Sequence, residues 1–191
     1  MFAIDLTDNA RMSPLEPWQA AEFLAHIDRA REHVDPWIPW ASRSTNLHTA
    51  RATLQRYADQ QARDGGGIYG IWLHDVLVGG VMFVSLDAKG GVCEIGCWLE
   101  PAGQGHGLIT RAAWRLIAYA IEERGLNRVE WRNRKDNIRS RNVARRLGMT
   151  LDGVLRESYF YAEKHHDEEV WSMLASEWPG RRDAGPATAA S

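Results

Sequence analysis

The stretch with the clearest chemical meaning is a glycine-rich turn between a strand-like segment and a helix-like segment. Residues 92–99 read as an apolar strand, Gln104-Gly105-His106-Gly107 breaks that pattern, and helical spacing begins directly afterwards. Glycines let a backbone approach a ligand closely, and the first amides of a helix are unpaired at the positive end of its dipole. We therefore expect the amides of residues 104–109 to bind a phosphorylated ligand.

Two common phosphate fingerprints do not fit this turn. The dinucleotide motif G-x-G-x-x-G fails because Thr110 occupies its third glycine position, and the chain has no Gly-Lys pair for a P-loop. The chain instead carries a series of motifs within residues 68–175: Glu94-Ile95-Gly96-x-Trp98-Leu99, Gln104-Gly105-x-Gly107, Asp136-Asn137-x-x-Ser140, Ala144-x-x-Leu147-Gly148 and Gly153-x-Leu155-Arg156. This series resembles the RimJ/RimL type of the GNAT superfamily of N-acetyltransferases. Two positions depart from the pattern, since Ile109 stands where the superfamily prefers Gly or Ala and Met149 where Phe is usual.

The resemblance implies acetyl-coenzyme A as co-substrate. Its pyrophosphate is expected on the glycine-rich turn, and its pantetheine arm along Cys97-Trp98-Leu99, which splays from the neighbouring strand in the family. A backbone amide near Trp98 would face the thioester oxygen, where a fixed donor contributes about 3 to 4 kcal/mol. The predicted cofactor-binding residues are Cys97, Trp98, Leu99, Gln104, Gly105, His106, Gly107, Leu108, Ile109, Asn137 and Ser140.

Acyl transfer from a thioester to an amine also needs a proton donor for the leaving thiolate and a base for the amine. Ser140 matches the serine proposed as that donor in the family, with Asn137 as the N-cap of its helix. The base has several candidates. An ungapped comparison puts Tyr159 where RimL-like enzymes have a glutamate, and Glu94 acting through water is an alternative. A chain of water molecules could also accept the proton without a side-chain base, because an α-amine with a pKa of about 7.7 to 8.0 is already partly neutral near pH 7.

The acceptor is expected to be a primary amine, with a protein amino terminus first by analogy with RimJ/RimL. Trp37 and Trp40, in a proline-containing connection, are predicted to line its pocket, with plain packing as the alternative, and Glu157 and Tyr159 are added to this site. A small amine such as an amino sugar, an aminoacyl nucleoside or an antibiotic is a second reading. A non-catalytic acyl-coenzyme A binding module is a third.

The order of the predicted strands and helices, which must position these residues, indicates an α/β fold. It has a mixed central sheet of about seven strands, with helices on both faces. Strands are predicted at residues 2–6, 68–73, 77–85, 92–99, 128–132, 149–161 and 168–175, and helices at 17–31, 45–63, 107–124 and 138–147. The second helix carries Leu47, Ala50, Leu54 and Tyr57 at helical spacing. One domain is expected at residues 1–178, followed by a disordered tail at 179–191.

Composition narrows the class of protein. The 191 residues are 45% hydrophobic and 25% charged, and the formal net charge of -2 argues against general nucleic-acid binding. No segment has the apolar length of a membrane span, and residues 1–5 lack the features of a signal peptide, so we expect a cytoplasmic protein. The oligomeric state stays open, a homodimer included.

Cysteine and histidine usage predicts neither a disulfide nor a metal site. Cys93 and Cys97, four positions apart on one strand, should be about 13 Å apart, whereas a disulfide needs less than about 7 Å. The run His165-His166-Asp167-Glu168-Glu169 is interpreted as a hairpin tip rather than a metal site, because consecutive side chains on a strand diverge.

Overall fold

The computed structural model describes residues 3–38 and 42–184. Its strands are β1 (Ile4–Thr7), β2 (Ala10–Pro14), β3 (Gly67–Leu73), β4 (Val76–Asp87), β5 (Val92–Leu99), β6 (Arg128–Arg134), β7 (Thr150–Tyr161) and β8 (Lys164–Leu174). Its helices are α1 (Ala20–Val34), α2 (Leu47–Ala62), α3 (Leu108–Ala118), α4 (Ile138–Arg146) and α5 (Trp178–Ala184).

All eight strands form one open sheet in the order β1-β2-β3-β4-β5-β6-β8-β7. The β5–β6 pair is parallel and every other neighbouring pair is antiparallel. The predicted mixed sheet is thus confirmed, with one strand more than the sequence indicated. The additional strand is β2, in which Ala10 and Met12 are buried. Its five residues include Arg11 and end at Pro14, so it has little strand signal of its own and depends on its neighbours β1 and β3.

Two apolar cores lie on opposite faces of the sheet. On one face, α1 and α2 bury Phe23, Ile27 and Leu54 against Trp72 and Trp98. On the other face, α3 buries Ala112, Ala113, Leu116 and Ile117 against side chains that include Val129 and Trp131 of β6. Burying one large apolar side chain stabilises a fold by about 1.5 to 3 kcal/mol, so both cores hold the helices firmly on the sheet. Helices on both faces were predicted, and this is confirmed.

Several helix details differ from the sequence-based prediction. The α-helical part of α3 ends at Ala118, and a wider π-helical turn, Tyr119–Glu123, leads to Gly125, whose φ of +64° ends the helix. Of the four residues at helical spacing in α2, Ala50, Leu54 and Tyr57 are buried, whereas Leu47 is 46% exposed. Asn46 caps that helix by accepting a hydrogen bond from the Thr49 amide at 3.0 Å, so α2 begins two residues later than predicted.

The structure after β6 differs from the sequence-based prediction in two places, the run His165 to Glu169 and the start of the predicted tail. The β7–β8 turn lies at residues 162–163, so His165 to Glu169 belong to β8 and are not a hairpin tip. Glu169 is buried and pairs with Arg141 of α4. Helix α5 occupies the first residues of the predicted tail, because Trp178 is buried and donates to Glu122 at 2.6 Å. Residues 185–191 lie outside the described part of the chain.

Three remaining expectations concern membranes, thiols and metals. Across the described ranges, no helix has both the length and the apolar character needed to cross a bilayer. Cys93 and Cys97 are both free thiols, the first buried and the second partly buried. Within residues 3–38 and 42–184, no three His, Cys, Asp or Glu side chains gather in a way that could hold a metal ion.

Candidate active site

The central feature of the site is a break in the sheet between β5 and β6. Their pairing ends at Ile95 and Trp131, although β5 continues to Leu99 and β6 to Arg134. Each strand stays paired on its outer side, β5 with β4 as far as Leu99 and β6 with β8 as far as Arg134. The splayed strand end that the resemblance implied is therefore present. A cavity of about 560 Å³ opens between the two strands and includes Gly96, Cys97, Trp98 and Leu99 in its wall.

The glycine-rich turn contributes Gln104, Gly105 and Gly107 to the wall of this cavity. Gly105 and Gly107 have φ angles of +83° and +68°, and a Cβ at either position would meet nothing within 4 Å. The backbone angle is therefore what requires glycine there. Gly107 is the N-cap of α3, whose first backbone bond runs from the Arg111 amide to the Gly107 carbonyl at 3.1 Å. The amides of residues 108–110 have no partner within the helix and lie at the positive end of its dipole.

Three polar side chains in the cavity wall, Gln104, His33 and Arg139, form a hydrogen-bonded bridge. His33 Nε2 lies 2.9 Å from the side-chain nitrogen of Gln104 and 2.7 Å from Arg139 Nη1. Both partners can only donate, so His33 Nε2 is the acceptor, and its single lone pair is shared between the two N–H groups. The pKa of His33 is lowered, first by partial burial and then by Arg139. These hydrogen bonds connect the end of α1 to the glycine-rich turn and to α4.

Ser140 lies beside the point where the two strands separate. Its amide donates to Asn137 Oδ1 at 3.2 Å, so Asn137 caps α4 as predicted. Its hydroxyl oxygen accepts from the ring N–H of Trp131 at 2.8 Å. Trp131 is 1% exposed and also lines the cavity, but the sequence analysis did not select it. Alternation along β6 places Trp131 on the face covered by α3 and α4, which is the only signal that could have suggested it.

A charge cluster lies on the opposite face of the sheet at the same break. Arg132 lies 2.9 Å from Glu130, 3.7 Å from Glu168 and 3.8 Å from Glu94. Glu94, Arg132 and Glu168 all line the cavity. Burial raises the pKa of Glu94, Arg132 opposes this rise, and Glu168 and Glu130 add to it. Glu94 therefore holds a proton more readily than an exposed carboxylate does. Arg132 and Glu168 were missed because their meeting depends on the strand order, which local patterns do not reveal.

Contacts beside the cavity join the segment after α1 to β6 and β7. The guanidinium of Arg134 lies 4.8 Å from the ring centre of Trp37 and donates to the Pro36 carbonyl at 2.9 Å. The Tyr161 hydroxyl donates to the Asp35 carbonyl. Trp37 lines the cavity, whereas Trp40 lies outside the described residues.

The remaining predicted residues divide into those that reach the cavity and those that do not. The described residues lining it include Ser140, Glu94, Tyr159, Asn137, Cys97, Trp98, Leu99, Gln104, Gly105, Gly107, Leu108 and Ile109. His106 and Glu157 are not among them. Glu157 sits in an irregularity of β7, with a φ of +54° and its amide bonded to Asp167, which displaces it from the cavity. Burial, and then Tyr161, raises the pKa of Tyr159, so this side chain remains a neutral phenol near pH 7.

Residues 11–150 match the acetyltransferase (GNAT) domain family. The chain belongs to the GNAT acetyltransferase family. This GNAT enzyme is 31% identical over 187 residues to the Bacillus subtilis protein named "Putative ribosomal N-acetyltransferase YdaF", covering 95% of this chain and 100% of that one. It is 27% identical over 137 residues to the ribosomal-protein-serine acetyltransferase of Escherichia coli K12, covering 72% and 76% of the two chains.

The same architecture occurs in solved structures. RimL, a ribosomal L7/L12 α-N-protein acetyltransferase solved with coenzyme A, superposes with a TM-score of 0.86. The match covers 92% of this chain and 99% of that chain at 18% identity, which is a likeness of fold. GNAT enzymes use acetyl-coenzyme A as acyl donor, and this chain is accordingly an acetyl-coenzyme A-dependent N-acetyltransferase.

The residues of the cavity fit acetyl-coenzyme A. Unpaired amides at the start of α3 suit a diphosphate, and the free edge of β5 at residues 96–99 offers backbone groups to the amides of a pantetheine arm. On the facing strand, Asn133 Oδ1 is buried and makes no hydrogen bond to any residue that the structure describes. Asn133 lines the cavity, and a buried acceptor without a partner is costly unless a ligand supplies a donor.

Proposed function

We propose that this enzyme acetylates the α-amine of a protein amino terminus. The observation that carries the proposal is the composition of one cavity wall, which holds the first residues of α3, the unpaired end of β5 and the carboxylates of Glu94 and Glu168. Carboxylates in this wall suit an amine that is partly protonated near neutral pH and must be neutral to react. Two relatives carry the names of ribosomal acetyltransferases, which supports a protein acceptor. This acceptor class also fits the cytoplasmic location expected from the sequence.

Glu94 is the proposed base, acting through water. Its raised pKa brings it closer to that of an α-amine, which lies at about 7.7 to 8.0, so proton transfer between them is less unfavourable. A lysine side chain at about 10.4 would require more assistance, which favours an α-amine as acceptor. Tyr159 does not fit the base role, because a neutral phenol with a raised pKa donates hydrogen bonds and does not take up the amine proton.

Ser140 and the strand edge complete the proposed chemistry. The acceptor nitrogen forms a bond to the acetyl carbon as the carbon–sulfur bond breaks, and the electron pair of that bond stays on sulfur. Backbone amides at the free edge of β5 stabilise the carbonyl oxygen, and Ser140 directs its hydrogen to the sulfur. The nitrogen loses one proton, which Glu94 takes through water and passes to solvent, and the sulfur gains one proton from Ser140, which recovers a proton from solvent. An amine that arrives as an ammonium group first releases one further proton to solvent.

Thiol release from acetyl-coenzyme A with a panel of amines tests the proposal. The panel pairs peptides that have a free α-amine and no lysine with amino-terminally blocked peptides that contain lysine, and adds amino sugars and aminoacyl nucleosides. We expect free α-amine peptides to give the highest kcat/KM, with mass spectrometry locating the acetyl group on the first residue. Preference for a small amine would replace the protein acceptor. No thiol release with any amine would leave a binding module.

A further inference from the structure

Trp131 occupies the branch point of the sheet. It is the last residue of β6 that pairs with β5, and its ring is packed in the core beneath α4. The ring N–H donates to Ser140 Oγ at 2.8 Å. An indole has one donor and no acceptor, so the direction of this hydrogen bond is fixed.

The consequence concerns the hydrogen of the Ser140 hydroxyl. A serine in a helix commonly donates to a carbonyl three or four residues earlier. Here the structure shows no hydrogen bond from Ser140 Oγ to the carbonyl of Asp136 or Asn137, and Trp131 is the one partner of Oγ among residues 3–38 and 42–184. With one lone pair of Oγ held by Trp131 and no acceptor for its hydrogen among these residues, the Ser140 hydroxyl is available to donate to a ligand in the cavity that it lines.

We propose that Trp131 is a positioning residue that keeps Ser140 in its donor orientation toward the leaving sulfur. The proposal rests on the role proposed above for Ser140. A hydroxyl that accepts one hydrogen bond also donates more strongly, because neighbouring hydrogen bonds polarise each other. Trp131 further ties α4 to the point where β5 and β6 part, so Ser140 is held at a fixed place relative to the backbone edge of β5.

The first test is Trp131→Phe, which keeps an aromatic ring and removes the N–H. We expect kcat to fall about 3- to 10-fold, the effect of one lost neutral hydrogen bond, with both KM values within about twofold of wild type. Trp72→Phe is the matched control, because Trp72 is equally buried and its N–H donates to Glu22 at 2.6 Å, away from the cavity. We expect this control to keep wild-type kcat.

Phe is smaller than Trp, so a second variant separates the hydrogen bond from packing. Benzothienylalanine at position 131 keeps the bicyclic ring and replaces the N–H by sulfur. The same fall in kcat is expected at a melting temperature close to that of the wild type. Wild-type kcat in this variant would overturn the proposal, whatever the Phe variant does.

Comparison in the Ser140→Ala background distinguishes the two proposals. If Trp131 acts through Ser140, removing the Trp131 N–H should not lower kcat further once the hydroxyl is gone. Equal fold losses in both backgrounds would show that Trp131 acts independently, which contradicts the inference. If Ser140→Ala alone has wild-type kcat, the proposed role of Ser140 fails and the role of Trp131 fails with it.

Discussion

His26 makes the stability of this protein sensitive to mild acid. It is completely buried between α1 and β5, where Nδ1 lies 3.1 Å from Glu100 and Nε2 accepts from the ring N–H of Trp98 at 2.9 Å. Because an indole only donates, Nε2 carries no hydrogen, so His26 is neutral with its proton on Nδ1. Glu100 would favour a charged ring, but burial, and then Arg29, lowers the pKa of His26 from 6.5 to about 4.

The sign and size of the effect follow from this shift. In the unfolded chain His26 takes up a proton near pH 6.5, whereas in the folded protein it does so only near pH 4. Between these two pH values the unfolded state therefore binds more protons than the folded state. The free energy of unfolding decreases as the pH falls, by at most about 1.4 kcal/mol per pH unit. Between pH 7.5 and pH 5 the loss from this one group amounts to about 2 kcal/mol.

Urea unfolding at pH 7.5 and pH 5 of the wild type and of His26→Gln measures this loss. The Gln amide can accept from Trp98 but does not titrate, so the variant should lose about 2 kcal/mol less than the wild type over this range. His48→Gln, at an exposed position of α2, is the control and should follow the wild type. If His26→Gln loses as much stability as the wild type, His26 is not a buried neutral group and the reasoning is refuted.

Three further predictions concern the site. Gly107→Asp should weaken acetyl-coenzyme A binding at least about 10-fold, because its carboxylate repels phosphate at the start of α3. Gly107→Asn is the uncharged control, since Asn tolerates a positive φ, and calorimetric titration showing equal affinities would contradict the assignment. Ser140→Ala should lower kcat by roughly 10²-fold with nearly unchanged cofactor affinity, and wild-type turnover would remove Ser140 from the mechanism. Trp37→Ala should raise the KM of the acceptor and leave that of acetyl-coenzyme A unchanged, whereas a lower melting temperature with unaltered kinetics would assign Trp37 to packing.

The sequence predicted those elements whose signals are local. Strand β5 was predicted at its observed bounds, because its apolar pattern ends at Glu100-Pro101, and α4 was predicted to within one residue from the Asn137 cap and the Gly148 stop. Strand β2 was missed because its position depends on pairing with β1 and β3. The glycine-rich turn could be predicted because its glycines and the helix start are contiguous in sequence.

The site contacts that sequence analysis missed share a different physical origin. Arg132 meets carboxylates from β5, β6 and β8, and this grouping exists only because β8 pairs with β6 after the chain has passed through β7. The strand break that exposes the edge of β5 was implied by the resemblance and not by any local pattern, because it depends on β4 and β8 holding the outer edges of the two strands. The backbone groups along this edge have no partner strand, and a ligand that pairs with them stabilises the folded state by binding to it. The predicted site residues thus gather where the pairing between β5 and β6 ends, so the same non-local strand order brings them together and leaves the edge of β5 available to a ligand.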